Sequence, residues 1–315
     1  MTDTEIRHTK VQKLFIDDDQ AGQRIDNFLL NYLKNVPKTR VYKMLRKGEV
    51  RINGGRIKPP YRLKDGDQVR VPPVHQKKRQ EGPSASLNDV KRLENFIVYE
   101  SDRLIVLNKP SGIAVHGGSG LSFGVIEAMR SLRPEQKYLE LVHRLDRETS
   151  GCLLIAKRRS TLRYLHLQLR ERQINKTYHA IVAGLWPKEL KKVNYPLEKS
   201  VLKSGERISI VSEQGKPSLT RYKLLDSFQE VSLIEASPST GRTHQIRVHC
   251  AASGHVICGD RRYDIESHSP FNERLFLHAQ SIEFKETPES EPLIISAEVD
   301  SIWQKRLQSL ESKNL

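Results

Sequence analysis

The sequence predicts a mixed α+β protein: a large domain built on a mainly antiparallel sheet, preceded by a small basic unit. Three observations predict it. After residue 93, short strand-like apolar runs far outnumber helix-like ones. Before residue 80, cations crowd one stretch: Pro37 to Arg79 holds fourteen Lys or Arg against Glu49, Asp65 and Asp67, a net +11 of the chain's +15. Between the two regions, QKKRQEGPSASLNDVKR (residues 76–92) has few apolar side chains and carries Gly, Pro and Ser, which suits a flexible linker. The expected division is a tail over 1–16, a compact unit over 17–75, the linker over 76–92 and the large domain over 93–315.

Composition limits the function classes. With 315 residues, 37% hydrophobic and 29% charged, the chain is long enough for a large and a small domain and reads as soluble and globular. No run of about 18 apolar residues suggests a membrane span, and the polar start MTDTEIRHTK lacks the apolar stretch of a secretory signal. Cys152, Cys250 and Cys258 are sparse and show no CxxC spacing, which argues against a disulfide framework or a zinc site. A cytoplasmic protein without a membrane partner is expected. The concentrated positive charge fits a polyanion, because each cation set on a phosphate releases counterions. A solvated basic face is the plainer alternative.

In the small unit, Ile25, Phe28, Leu29 and Leu33 mark one face of a first helix. Pro37 breaks or starts a helix, and Val41, Met44 and Leu45 give a second short one bearing Lys38, Arg40, Lys43, Arg46 and Lys47. After Gly48, EVRING alternates as a strand that carries Arg51 and ends in the Asn53-Gly54 turn signal; DGDQVRVPP closes the unit with another turn and strand. This arrangement, about 55 residues long, resembles the S4 RNA-binding domain. The resemblance implies that Lys38, Arg40, Lys43, Arg46, Lys47 and Arg51 meet RNA.

In the large domain the expected strands are 104–107, 139–142, 152–156, 178–182, 219–225, 231–236, 275–279 and 293–299. RSTLRYLHLQLRERQ has helical periodicity, with Leu162, Leu165 and Leu169 on one face. RTHQIRVHCAASG predicts another helix, with Ile246, Cys250 and Ala251 inward and Gly254 as its stop. No P-loop and no GxGxxG occurs; HGGSGLSFG precedes a helix expected from Ser122 and fits either a phosphate cradle or a plain turn. His244 and His249 are badly spaced for metal ligands on one helix face, and Ser150 lies in no GxSxG elbow.

The remaining chemistry is a carboxylate among cations. HRLDRETSG (143–151) sets Asp146 between Arg144 and Arg147, flanked by apolar runs. A second charged turn, STGRTHQIR (239–247), follows the strand ending at Ala236. If the two turns meet at one end of the sheet, Arg242 pairs with Asp146 and orients it, leaving a carboxylate fit to act as base or nucleophile. Residue chemistry alone equally allows a structural Asp–Arg pair.

The motifs go further. HRLDRETSG resembles the central motif of the pseudouridine synthases, in the branch that modifies ribosomal RNA and some transfer RNA. NKTYHAIVAG, GRTHQIRVH and LFLHA are similar to later motifs of that branch, and VLNKPSGIAVHGGSG to an early one. They occur in the expected order across residues 104–279, and with the S4-like unit in front they resemble the large-subunit enzymes. The resemblance implies conversion of the N1–C1′ bond of uridine into a C5–C1′ bond on large-subunit ribosomal RNA or its assembling particle. Asp146 matches the catalytic aspartate, attacking either C1′ or C6. Tyr178 matches the tyrosine that stacks on uracil and helps remove the C5 proton, and Arg242 the basic partner of the aspartate. Arg144 matches the residue that enters the stack as the base flips out, and Leu277 the apolar wall against uracil. An isomerisation implies no cofactor and no metal. A monomer is expected. Rival readings are a non-catalytic RNA-binding assembly factor and a nuclease, although binding alone would tolerate Asn at position 146.

Overall fold

The computed structural model describes residues 6–8, 10–17, 20–33, 36–77, 88–117, 123–201 and 207–312. The chain divides into two compact units, Met1–Glu81 and Gly82–Leu315.

The first unit runs β1 (Ile6–His8), β2 (Gln12–Phe15), α1 (Ile25–Tyr32), α2 (Lys38–Lys47), β3 (Arg51–Ile52), β4 (Gly55–Arg56), β5 (Gln68–Val71) and β6 (His75–Lys77). The helix faces read from periodicity are the buried ones: Ile25, Phe28, Leu29, Leu33, Val41, Met44 and Leu45 pack with Ile52, Val69 and Val71. Helix α2 ends at Gly48, whose φ of +69° favours glycine, with the N–H groups of Gly48 and Glu49 closing on the carbonyls of Leu45 and Met44. The expected tail is a correction. Strand β2 pairs antiparallel with β5, β1 pairs with β6, and Ile16 is buried. Four residues are too short to announce a strand by alternation, and only the partner β5 makes one. The expected linker is entered from both ends, by β6 to Lys77 and by a helix from Asn88; residues 78–87 lie outside the described residues.

The second unit runs α3 (Asn88–Lys91), a 3₁₀ turn (Arg92–Phe96), β7 (Ile97–Glu100), β8 (Leu104–Lys109), α4 (Val125–Leu132), β9 (Glu140–Leu141), β10 (Ser150–Ala156), α5 (Arg159–Arg170) and β11 (Asn175–Ala183). It continues β12 (Lys192–Val193), β13 (Leu197–Val201), β14 (Arg207–Val211), β15 (Thr220–Ser227), β16 (Val231–Pro238), α6 (Gln245–Ala252), β17 (Leu277–Lys285), β18 (Pro292–Ser296) and α7 (Ser301–Glu311). Ten strands form one sheet in the order β12-β15-β16-β11-β17-β10-β8-β7, with β18 added on β17 and β9 on β10. Among the described pairings in this sheet only β10–β17 is parallel. Strand β10 (SGCLLIA) is buried throughout, as an unbroken apolar run in a central strand covered on both faces must be.

The main core gathers Leu153, Ile155, Tyr178, Ala180, Leu277 and the inward side chains of α4, α5 and α6. A smaller cluster joins Ile181, Val231 and Phe276 to Trp303 of α7. Trp303 is buried, and Asp300 caps that helix by accepting the Trp303 N–H. The strands expected from residues 104 onward all occur within the sheet. The hairpin β13–β14 and helix α7 carried no clear periodic signal and were not anticipated.

Candidate active site

Asp146 stands in the loop between β9 and β10, and three other segments brace that loop. The first is the turn after β8. The Lys109 ammonium is fully buried and donates to the carbonyls of Pro110, Ile113 and Arg147 at 2.8, 2.9 and 3.0 Å. Burial, helped by the Arg274 charge, pushes its pKa down to about 7, while Asp146 acts in the opposite sense. Three carbonyls match the three N–H groups of the charged form, whereas a neutral amine has only two to offer. Gly112 N–H donates to the Arg147 carbonyl, the Arg147 Nε returns a bond to the Gly112 carbonyl, and Ser111 Oγ holds the Glu148 carbonyl.

The second brace is β17. Ser150 Oγ lies 2.8 Å from His278 Nδ1 and accepts from Arg274 Nη2 at 2.7 Å, while His278 Nε2 meets the Ala297 carbonyl. Arg274 also pairs with Asp300, the cap of α7. Gly151, at φ +106°, lies so close to β17 that a Cβ would sit 2.3 Å from the Ala279 carbonyl oxygen. Inside the loop, Leu145 is buried, Thr149 N–H donates to the Asp146 carbonyl, and His143 Nε2 accepts the Leu154 N–H. Burial, with the Lys176 charge adding to it, pushes His143 down to about 3, so its ring is neutral.

The third brace is α6, and here the geometry differs from expectation. The arginine facing Asp146 is Arg247, with Nη1 3.5 Å from Asp146 Oδ2. Arg242 is exposed, and its Nε donates to the Pro217 carbonyl. Arg242 lies before the helix begins, whereas Arg247 lies within α6, whose residues 245–250 are all buried. Arg247 is buried and makes a two-pronged pair with buried Asp260, Nε to Oδ2 at 2.7 Å and Nη2 to Oδ1 at 2.6 Å. Burial opposes its charge, yet the hydrogen bonds and charge of Asp260, with Asp146 and Glu148 beyond, hold its pKa above the usual arginine value. Buried His244 also lies here, with Nε2 3.7 Å from Asp146 Oδ2. Its φ of +52° is rare for a residue with a side chain and turns the chain into α6.

Tyr178 lies on β11, opposite Ala279 of β17 and Ala236 of β16. Burial, and then the Asp146 charge, push its phenol well above the ordinary tyrosine pKa. Leu277 pairs with Ala180 across the same two strands, so Leu277, Ala279, Ala180 and Tyr178 share one face of the sheet. The Arg144 side chain is exposed and forms no hydrogen bond or ion pair among the described residues. In the first unit Lys38, Lys43, Arg46, Lys47 and Arg51 are exposed, whereas Arg40 is half-buried and paired with Glu49 at 2.8 Å.

Among the described residues around the glycine loop before α4, backbone N–H groups already have acceptors, and residues 118–122 lie outside the described residues. The N–H groups of Gly117 and Gly124 donate to Glu127, and those of Val125 and Ile126 to the Ala114 and Val115 carbonyls. Helix α4 begins at Val125; Ser122 lies outside the described residues. His249 is enclosed by Ser218, Thr220 and the Tyr195 carbonyl. The three cysteines are buried, with thiols pushed by burial up to about 12. Lys109, Arg247, Asp260 and Arg274 were not singled out from the sequence, and His244 was weighed there only as a metal ligand. For Lys109 and Arg247 the signal was a cation inside an apolar stretch.

The family model for RNA pseudouridylate synthase matches residues 103–252, and that for the S4 domain matches residues 23–69. A protein of Pasteurella multocida named ribosomal large subunit pseudouridine synthase C is 53% identical over 317 residues, covering 99% of this chain and 97% of that one. A Haemophilus influenzae protein of the same name is 54% identical over 316 residues, covering 98% of each. Among solved structures, human RNA pseudouridylate synthase domain containing 4 superposes with a TM-score of 0.59 at 25% identity, covering 70% of this chain and 95% of that one. Human RNA pseudouridylate synthase domain containing 1 gives 0.52 at 26% identity, covering 68% and 94%.

Proposed function

This chain belongs to the RNA pseudouridylate synthase family, with an S4 domain ahead of the synthase region, and from that premise we propose how its residues act on a uridine of large-subunit ribosomal RNA. The observation that carries the proposal is the braced loop, which sets the Asp146 carboxylate beside buried Arg247, near enough to Tyr178 for its charge to raise the phenol's pKa.

The N1–C1′ bond must break and a C5–C1′ bond must form on the same nucleotide, so the uridine must leave the stack to be reached. The exposed Arg144 side chain, without a partner among the described residues, is free to fill the gap left behind. Asp146 then meets the flipped nucleotide as nucleophile, held in place by the Lys109 cage, the Ser150 bonds and Arg247. Tyr178 lies against the uracil with its phenol protonated, and Leu277 extends the same wall. Arg242, exposed at the mouth of the turn, is a contact for RNA rather than for Asp146. The exposed cations of α2 and β3 bind the RNA backbone and hold it while the base is turned out. The reading implies a cytoplasmic monomer that meets ribosomal RNA free or in an assembling particle.

Tritium release from C5-labelled uridine in a large-subunit rRNA transcript tests this. The intact protein is expected to release tritium; Asp146→Asn is expected to bind the transcript equally well and release none. Release by neither would favour an RNA-binding assembly factor, and loss of binding along with turnover would remove Asp146 from the chemistry.

A further inference from the structure

A synthase that joins C5 to C1′ must strip the proton from C5, and something must accept it. Tyr178 is poorly suited, because a phenol pushed up by burial and by the neighbouring Asp146 charge stays protonated. The site contains a better acceptor. His244 is buried at the entry of α6, with Nε2 3.7 Å from Asp146 Oδ2. Its tautomer follows from its neighbours. Arg262 Nη1 can only donate and lies 3.4 Å from Nε2, so Nε2 carries the lone pair. The Nδ1–H therefore donates to Tyr263 Oη at 2.8 Å, and that oxygen also accepts the Ser209 N–H at 3.0 Å. That lone pair is held only by the long Arg262 contact at 3.4 Å, which must yield for the same nitrogen to meet a nucleotide placed beside Asp146.

We propose that His244 is the base that removes the C5 proton. This rests on the synthase reading above. When the C1′–N1 bond has broken and the C5–C1′ bond has formed, C5 bears both its hydrogen and the ribose. The C5–H electron pair returns to the ring and restores the 5,6 double bond, and the proton passes to Nε2. The imidazolium then gives a proton to N1, directly or through water, and His244 is regenerated. Uridine and pseudouridine have the same composition, so no oxidant, reductant or net proton is required.

The charged groups around His244 suit the role. Asp146 faces it from the catalytic loop, Arg247 from α6, and Asp260, Arg262 and Tyr263 from the segment after that helix. Burial, Arg247 and Arg262 lower its pKa, while Asp146 and Asp260 oppose them, so the ring enters the reaction neutral.

Single-turnover assays on the full-length protein test the proposal, using transcripts whose target uridine carries hydrogen or deuterium at C5. His244→Gln is expected to slow pseudouridine formation by about 10²-fold or more, with RNA affinity and melting temperature near wild type. Its deuterium isotope effect should exceed that of the wild type, because C5–H cleavage has become the slow step. Tyr263→Phe removes the acceptor of the Nδ1–H and should give a smaller loss with an isotope effect in the same direction. A slowed His244→Gln with no increase in isotope effect would overturn the proposal, as would a rate close to wild type. If His244→Gln does not fold, Tyr263→Phe decides by its isotope effect. A wild-type protein that makes no pseudouridine would instead sink the synthase reading.

Discussion

Arg247 is one guanidinium with three carboxylates within reach, Asp260, Asp146 and Glu148. Its short pair with Asp260 offsets the cost of burial, and its remaining N–H group faces Asp146. Truncating it would strand Asp260, whose side chain is fully buried, as an unpaired charge. Arg247→Ala is therefore expected to cost about 3–5 kcal/mol in denaturant unfolding, and Arg242→Ala, at an exposed position, very little. Equal losses at both positions would contradict the geometry. Buried His278 and half-buried His143 make a second prediction at this scale. Burial pushes His278 down to about 4 and His143 to about 3, against an ordinary histidine value near 6.5. Between these values the unfolded chain binds more protons than the folded one. Their contribution is thus fully present above about pH 6.5 and is lost as pH falls, by up to about 1.4 kcal/mol per pH unit for each histidine. His278→Gln should make the acid slope of stability shallower; an unchanged slope would mean that this ring is charged in the fold.

Among the elements, the contact between β10 and β17 matters most, because it fixes the end of the Asp146 loop. Ser150 and Gly151 are the two residues of β10 that pair with β17, and the polypeptides approach too closely there for any side chain at 151. Gly151→Ala would place a methyl group against the Ala279 carbonyl at a φ that costs about 1–3 kcal/mol by itself. It should lose both stability and turnover, whereas Gly254→Ala, with open space around it, should lose only the strain of its φ. Helix α7 reaches the same loop through its cap. Asp300 accepts the Trp303 N–H and pairs with Arg274, which in turn donates to Ser150. Asp300→Ala should cost about 1 kcal/mol as a lost cap and more through the released Arg274. A Tm series comparing it with Arg274→Met would separate the two contributions. The apolar runs of β8, β10, β11 and β16 made these strands legible, because a strand buried on both faces needs little polarity. Strand β2 and helix α7 were not, since one depends on β5 for its pairing and the other on a single buried tryptophan.

At the scale of the whole molecule, the exposed cations of α2 proposed to bind RNA lie in the first unit and Asp146 lies in the second. Lys43, Arg46 and Lys47 are exposed on α2 and form no ion pair among the described residues. Replacing all three with Gln should weaken RNA binding and reduce the slope of log affinity against log salt by about 2–3, with single-turnover chemistry on bound RNA unchanged. A constant slope would place the RNA elsewhere. The sequence alone determined the mixed fold with its mainly antiparallel sheet, the basic unit in front of it, and the family through its ordered motifs, of which HRLDRETSG with Asp146 is central. These are local properties: periodicity, charge density and short contiguous patterns survive in one dimension. Only the tertiary structure decided which cation faces Asp146, that Lys109 and Arg274 reach its loop, and that His244 lies beside it. Each of those residues comes from a distant segment. Contacts between distant segments are set by sheet order and helix phase, so Arg242 and Arg247, five residues apart, could be told apart only once α6 had turned one inward and left the other in water.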